Sequence, residues 1–149
     1  MKISELKQYL CAKLQEALPA LQDVIFNDDA GDVWSWAVTG SSYETCTNKN
    51  AKDALKIAGA AIVVCSPSER KTLNAITNSA LREARFPILV LGNPLKPDAP
   101  NHDDLITDIE QAAIRIKDSC HLQQWVLGEM AKFEAPNSSV LFLHCSYRI

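Results

Sequence analysis

Residues 84–116, ARFPILVLGNPLKPDAPNHDDLITDIEQAAIRI, hold the stretch that decides the fold. In its first part, Ala84, Phe86, Ile88 and Val90 alternate onto one face of an extended chain, so 84–91 reads as a strand. Pro87 predicts a sheet edge or a bulge early in that strand. Gly92–Pro100 is a proline-rich connector. The period then changes. Asn101 is a good N-cap, and Asp104 three residues on completes a loose capping box. Leu105, Ile106, Ile109, Ala112, Ala113 and Ile116 form one apolar stripe, so 102–117 reads as an amphipathic helix. Arg115 and Lys117 stand at its end, where the helix dipole favours cations.

Downstream, residues 122–133 and 140–149 read as a hairpin around Glu134–Ser138. Leu141, Leu143, Cys145, Tyr147 and Ile149 share one face of the returning strand. Val140, Phe142, His144, Ser146 and Arg148 share the other, which turns polar only towards its end and is expected to be covered over its first half. Upstream, AAIVVC (60–65) is a continuous apolar run, read as a buried strand that stops at Ser66-Pro67-Ser68. Residues 69–80 are ambiguous. Leu73, Ile76 and Ala80 have helical spacing, but Thr72, Asn74, Thr77, Asn78 and Ser79 are weak helix formers, so a loop leading into a strand is expected.

Further upstream, Ala51, Ala54, Leu55 and Ala58 mark a short helix with Gly59 as its cap. TGSSYETCTNKN (39–50) reads as a loop. Val33–Val38 reads as a strand with Trp34 and Trp36 on one face. Asn27–Gly31 is turn chemistry, and Asp23–Phe26 reads as a short strand. Ile3, Leu6, Leu10, Leu14 and Leu18 recur at helical spacing, and Pro19 ends that helix at 3–18. The expected architecture is a single α+β domain spanning 1–149: a mostly antiparallel sheet with two main amphipathic helices, 3–18 and 102–117, packed on it. Regular βα alternation is missing, which argues against a doubly wound nucleotide-binding sheet.

The chain has 149 residues, 47% hydrophobic and 22% charged, with net charge −3. That composition fits one soluble globule and excludes a disordered chain. A mildly acidic chain does not suit bulk nucleic-acid binding. No apolar run reaches the length of a membrane span, and MKISELKQYLCAKLQEAL at the start is interrupted by charge, unlike a signal peptide. Cys11, Cys46, Cys65, Cys120 and Cys145 are odd in number, widely spaced and without a CxxC. They read as reduced, buried small hydrophobes in a reducing compartment.

Candidate chemistry fails on spacing. Cys65 ends a buried strand, but only four residues separate it from Arg70, where a phosphate loop wants five. A cysteine hydrolase would need His102, His121 or His144 as partner, and nothing in the sequence fixes their distance. Cys120-His121 and His144-Cys145 are adjacent pairs whose members point to opposite faces of a strand, unsuited to one zinc ion. Asn27, Asp28, Asp29 and Asp32 suggest calcium, yet the position needing a glutamate holds Val38. Asp103, Asp104, Asp108 and Glu110 lie in the first turns of a helix, where acids offset the dipole. There is no P-loop, GxGxxG, HExxH or GxSxG. The chain is therefore expected to carry no metal, no cofactor and no catalysis.

Charge is unevenly spread. Residues 1–50 carry −3, residues 51–100 carry +3, and residues 101–149 carry −3. The basic excess centres on Arg70, Lys71, Arg82 and Arg85. A solvated face is the plain reading; the sharper one is a basic middle that meets an acidic flank of another copy. Trp34 and Trp36 are the apolar candidates for such an interface.

The helix ending in ALPAL, the AAIVVCSP and FPILVLGNP strands, the DDLITDIEQAAIRI helix and the terminal LFLHCSYRI strand together resemble small tail-terminator and neck proteins of long-tailed bacteriophages and prophages. The resemblance implies a non-enzymatic subunit that caps the tail tube as a ring, usually hexameric, and docks the head connector. It implies assembly in the bacterial cytoplasm and then a place in the virion. Its partners would be copies of itself, tail-tube proteins and connector proteins. Two alternatives stand beside it: another cytosolic oligomeric adaptor, and a small Cys- or His-dependent hydrolase.

Overall fold

A computed structural model describes residues 3–28, 48–74, 79–116, 123–133 and 137–148. In chain order these form α1 (Ile3–Ala17), a 3₁₀ helix (Pro19–Val24), β1 (Ile25–Asp28), α2 (Lys49–Ile57), β2 (Ala60–Cys65), β3 (Ser68–Asn74), β4 (Ser79–Gly92), α3 (His102–Ile114), β5 (Gln123–Lys132) and β6 (Ser138–Arg148). Pro19 ends α1 and opens the 3₁₀ helix, where its missing N–H costs nothing. The strand expected at 23–26 therefore begins two residues later. Asn48 caps α2 by accepting from the Ala51 N–H at 3.0 Å. Asn101 caps α3 by accepting from the Asp104 N–H at 3.1 Å, as its sequence position predicts. The strand expected at 33–38 and residues 39–47 of the expected loop lie outside the described residues; Lys49 and Asn50 open α2 instead.

The strands form one six-stranded sheet in the order β1-β2-β4-β6-β5, with β3 also paired to β4. β1 and β2 run parallel, joined through α2; every other pair is antiparallel. The fold is thus α+β with a mostly antiparallel sheet, plus one local β-α-β unit that the sequence pattern does not announce. β2 and β3 lie end to end along the same side of β4. From Val64↔Ile88 to Ser68↔Arg85 the outer strand advances four residues while β4 advances three. The extra residue makes a bulge at Ser66-Pro67.

Two expectations are corrected here. Residues 69–74, expected as loop, belong to strand β3 (Ser68–Asn74), and β4 begins at Ser79; residues 75–78 lie outside the described residues. Pairing with β4 supplies what local propensity lacks. Pro87 is not at a sheet edge, because it pairs with Phe142 on an interior strand. It stands opposite the Ser66-Pro67 bulge, where the ladder on that side is already interrupted.

One face of the sheet is covered by α1 and α3. Phe86, Ile88, Val90, Leu141, Leu143 and Cys145 are all buried there. Trp125 stacks on Tyr9 of α1 at 6.0 Å and tilts against Phe86 at 5.7 Å. Lys132 on β5 pairs with Asp103 on α3 at 3.0 Å. β4 and β5 run parallel to each other with β6 between them, so α3 is also a crossover helix, and its strands oppose β1 and β2. Right-handed crossovers on oppositely directed strands place their helices on opposite faces, which puts α2 on the second face. Burial follows: Val63, Leu89, Leu91 and Val140 on that face are buried as well. Further along the same face the cover stops, and Glu83, Val126 and His144 are exposed.

Candidate interaction surfaces and a polar pocket

β3 and the start of β4 form a hairpin arm at the far end of the sheet, and the basic positions singled out in the sequence fall on it. Register sets Lys71 opposite Arg82, and Arg70 opposite Glu83. Ser68 stands opposite Arg85. Successive positions on a strand alternate faces. Lys71 and Arg82 therefore occupy one face of the arm, and the positions of Arg70 and Arg85 the other: two basic pairs rather than one cluster of four. Trp34 and Trp36 lie outside the described residues.

Arg85 is built into the uncovered face. Its guanidinium lies 3.6 Å from the centroid of the Phe142 ring, and Glu129 on β5 sits 3.8 Å away. Its Nε is buried and has no partner among the described residues. β5 bulges at Gly128-Glu129 opposite Phe142. A Cβ at Gly128 would stand 2.5 Å from the exposed His144 ring, which would have to turn aside, and 3.1 Å from the Phe142 carbonyl oxygen. Val126 and Met130 beside this bulge are exposed apolar side chains. The signal for this open face was legible in β6, whose second face turns polar at His144 and Ser146.

At the opposite end of the sheet, the 3₁₀ helix and the first turns of α3 enclose an apolar groove of about 290 Å³. Leu18, Pro19, Leu21 and Leu105 line it, together with Asp104 and Asp108. Both aspartates are exposed, and neither pairs with a cation among the described residues. Sequence reasoning took these acids only as partners of the helix dipole. The groove needs Leu18 and Leu21 to meet α3 in space, which periodicity does not show. Ile57 and Leu95 are also exposed at this end.

A polar pocket of about 210 Å³ lies between the start of α3 and the β5–β6 turn, lined by His102, Asp103, Lys132 and Ser139 among others. His102 Nε2 is 2.9 Å from Ser139 Oγ. Burial lowers the His102 pKa; Asp103 opposes that shift and Lys132 adds to it. A neutral imidazole against a hydroxyl is the first half of a nucleophilic pair. The second half is an acceptor that orients the ring, and His102 Nδ1 is buried with no partner among the described residues. Ser139 is itself 1% exposed.

Cys11, Cys65 and Cys145 are reduced and buried. Cys65 donates to the Val63 carbonyl at 3.6 Å, and burial raises the Cys11 thiol. A protonated, buried thiol is a packing group rather than a nucleophile. Cys46, Cys120 and His121 lie outside the described residues, as do Asp29 and Asp32. No group of three His, Cys, Asp or Glu residues among the described ones is arranged to hold a metal ion. No described helix is long and apolar enough to cross a membrane. No protein-family model matches the chain, and no curated protein matches it in sequence.

Proposed function

We propose that the chain is a non-enzymatic assembly subunit that joins copies of itself head to tail, in the role its sequence resemblance implies: a ring at the end of a phage or prophage tail tube, or in the neck between tail and head. The observation that carries this reading is the polarity of the sheet. One end is thick and bears an apolar groove with exposed Ile57 and Leu95 beside α2 and the β4–α3 connector. The other end is an arm with basic positions and an uncovered face. Unlike ends on one subunit suit a heterologous interface, which closes into a ring when the rotation permits. Exposed charge pairs are worth roughly 0–1 kcal/mol each, so they orient subunits while apolar contacts hold them.

Sedimentation velocity across protein concentration and salt, with co-sedimentation on purified tail tubes, tests the proposal. Concentration-dependent oligomers and tube binding support it. A monomer at high concentration and low salt that also ignores tubes ends it. Oligomers that ignore tubes and connectors would favour an adaptor of another assembly. The contact between His102 and Ser139 favours a second reading, a small hydrolase. Turnover of an activated ester that disappears in Ser139→Ala would establish it, and equal rates in both proteins would remove it.

A further inference from the structure

Two large aliphatic side chains stay in solvent at the thick end of the sheet. They are Ile57, the last residue of α2, and Leu95 in the β4–α3 connector, each 75% exposed. Hydrogen bonds tie the connector to the end of that helix. Asn93 Nδ2 donates to the Leu55 carbonyl at 3.1 Å, and the Asn93 N–H donates to the Gly59 carbonyl at 2.9 Å. The Leu95 N–H donates to Asn93 Oδ1 at 3.1 Å. Along α2, Lys49, Lys52 and Lys56 recur at i, i+3 and i+7, a basic stripe on the side away from the buried Ala51, Ala54 and Leu55.

The groove presents the same pattern with opposite charge. Asp104 and Asp108 stand four residues apart on α3, as Lys52 and Lys56 do on α2, so each pair spans about 6 Å of helix axis. Leu105 follows Asp104, and Ile57 follows Lys56. On both helices, therefore, an aliphatic side chain adjoins the charged stripe, one step of about 100° around the axis. None of the four charged side chains forms an ion pair among the described residues. No basic residue lines the groove. Its volume of about 290 Å³ exceeds the roughly 150 Å³ of a cavity that holds one benzene, so an aliphatic side chain has room to enter. The helices α2 and α3 cover opposite faces of the sheet, so the basic stripe of a chain does not reach its own groove.

We infer that the groove between the 3₁₀ helix and α3 is the docking site for helix α2 of a second copy, with Asp104 and Asp108 receiving Lys52 and Lys56 while Ile57 enters between the apolar walls. This rests on the assembly reading and names one of its contacts. Donor and acceptor lie on opposite faces, so a copy that receives one neighbour offers its own α2 to the next, and the contact repeats from copy to copy.

Two charge-reversed proteins test it by sedimentation velocity. One carries Asp104→Lys with Asp108→Lys, the other Lys52→Glu with Lys56→Glu. Unchanged circular dichroism and melting temperature check that each variant folds. Self-association of each variant alone should weaken roughly ten- to a hundredfold, because two attractive pairs become two repulsive ones. Mixed in equal amounts they should recover wild-type association at low salt, since the acidic α2 of one meets the basic groove of the other and the remaining wild-type-like surfaces meet in turn. Ile57→Ser, at a solvent-exposed position, is a third probe that does not depend on either helix tolerating reversed charge, and it should weaken association roughly tenfold. A wild type that associates while all three variants associate equally well overturns the docking site and leaves the assembly reading standing. Charge variants that lose association but do not restore it when mixed show that the residues act at separate contacts, which also overturns the inference. A wild type that stays monomeric at high concentration and low salt overturns it too; if that protein also ignores tail tubes, the assembly reading falls with it.

Discussion

Gly59 ends α2 with φ +78, a conformation that costs a residue bearing a Cβ about 1–2 kcal/mol. A Cβ there would also stand 2.6 Å from Ala99 Cβ and 3.0 Å from Ala99 Cα. The connector backbone must therefore move, and Gly59→Ala should lower stability by about 2 kcal/mol or more in a urea titration. His102 makes a pH prediction. Burial holds its pKa below the value it has when unfolded, so between those two values the unfolded chain binds more protons. The stability linked to this group is complete above the unfolded pKa and is lost as pH falls through the unfolded pKa towards the folded one. Wild type should lose more urea stability between pH 8 and pH 5 than His102→Gln, whose amide can still meet Ser139. Parallel losses in the two proteins would mean that the ring is solvated when the chain is folded.

Helix α3 was the most legible element, because capping and periodicity agree there. Its cap Asn101, its stripe and its start all follow from local residues, and Ile109 at the centre of the stripe is 0% exposed. Asn101→Ala should cost about 1 kcal/mol by leaving the Asp104 N–H without its partner. Ile109→Asp places an unpaired charge in the core and should cost more than about 4 kcal/mol or prevent folding. A melting temperature equal to wild type would mean that the stripe is exposed. β3 was illegible for the opposite reason. Ser68–Asn74 has no apolar alternation, and its strand state comes from β4, which lies nearby in sequence but whose register no local rule supplies. The parallel β1–β2 pair was hidden too, because four short residues and a single helix do not reveal which neighbour a strand will choose. The candidate groove was half legible: its acids stand out in the sequence, but its apolar wall exists only once the 3₁₀ helix meets α3.

Across the whole molecule, the sheet is unevenly supported. Residues 88–91 of β4 lie between β2 and β6 and are buried, whereas among the described residues β3 is paired along one side only. Amide hydrogen exchange should be slowest at Ile88–Leu91 and fastest among the strands in Thr72–Asn74, and equal protection in both would contradict the layered arrangement. Association through the arm would slow the second group in proportion to protein concentration. The bulge at Ser66-Pro67 bears on this scale as well. A bulge bends the strand that carries it and increases its twist, so one extra residue sets the direction in which the arm leaves the core. In an assembly joined through the arm, that direction is the angle between one subunit and the next, and the angle decides how many copies complete a circle. In such an assembly, deleting Ser66 should change the number of subunits counted by native mass spectrometry while leaving the contacting surfaces intact: the register of two neighbouring strands would set the diameter of the particle.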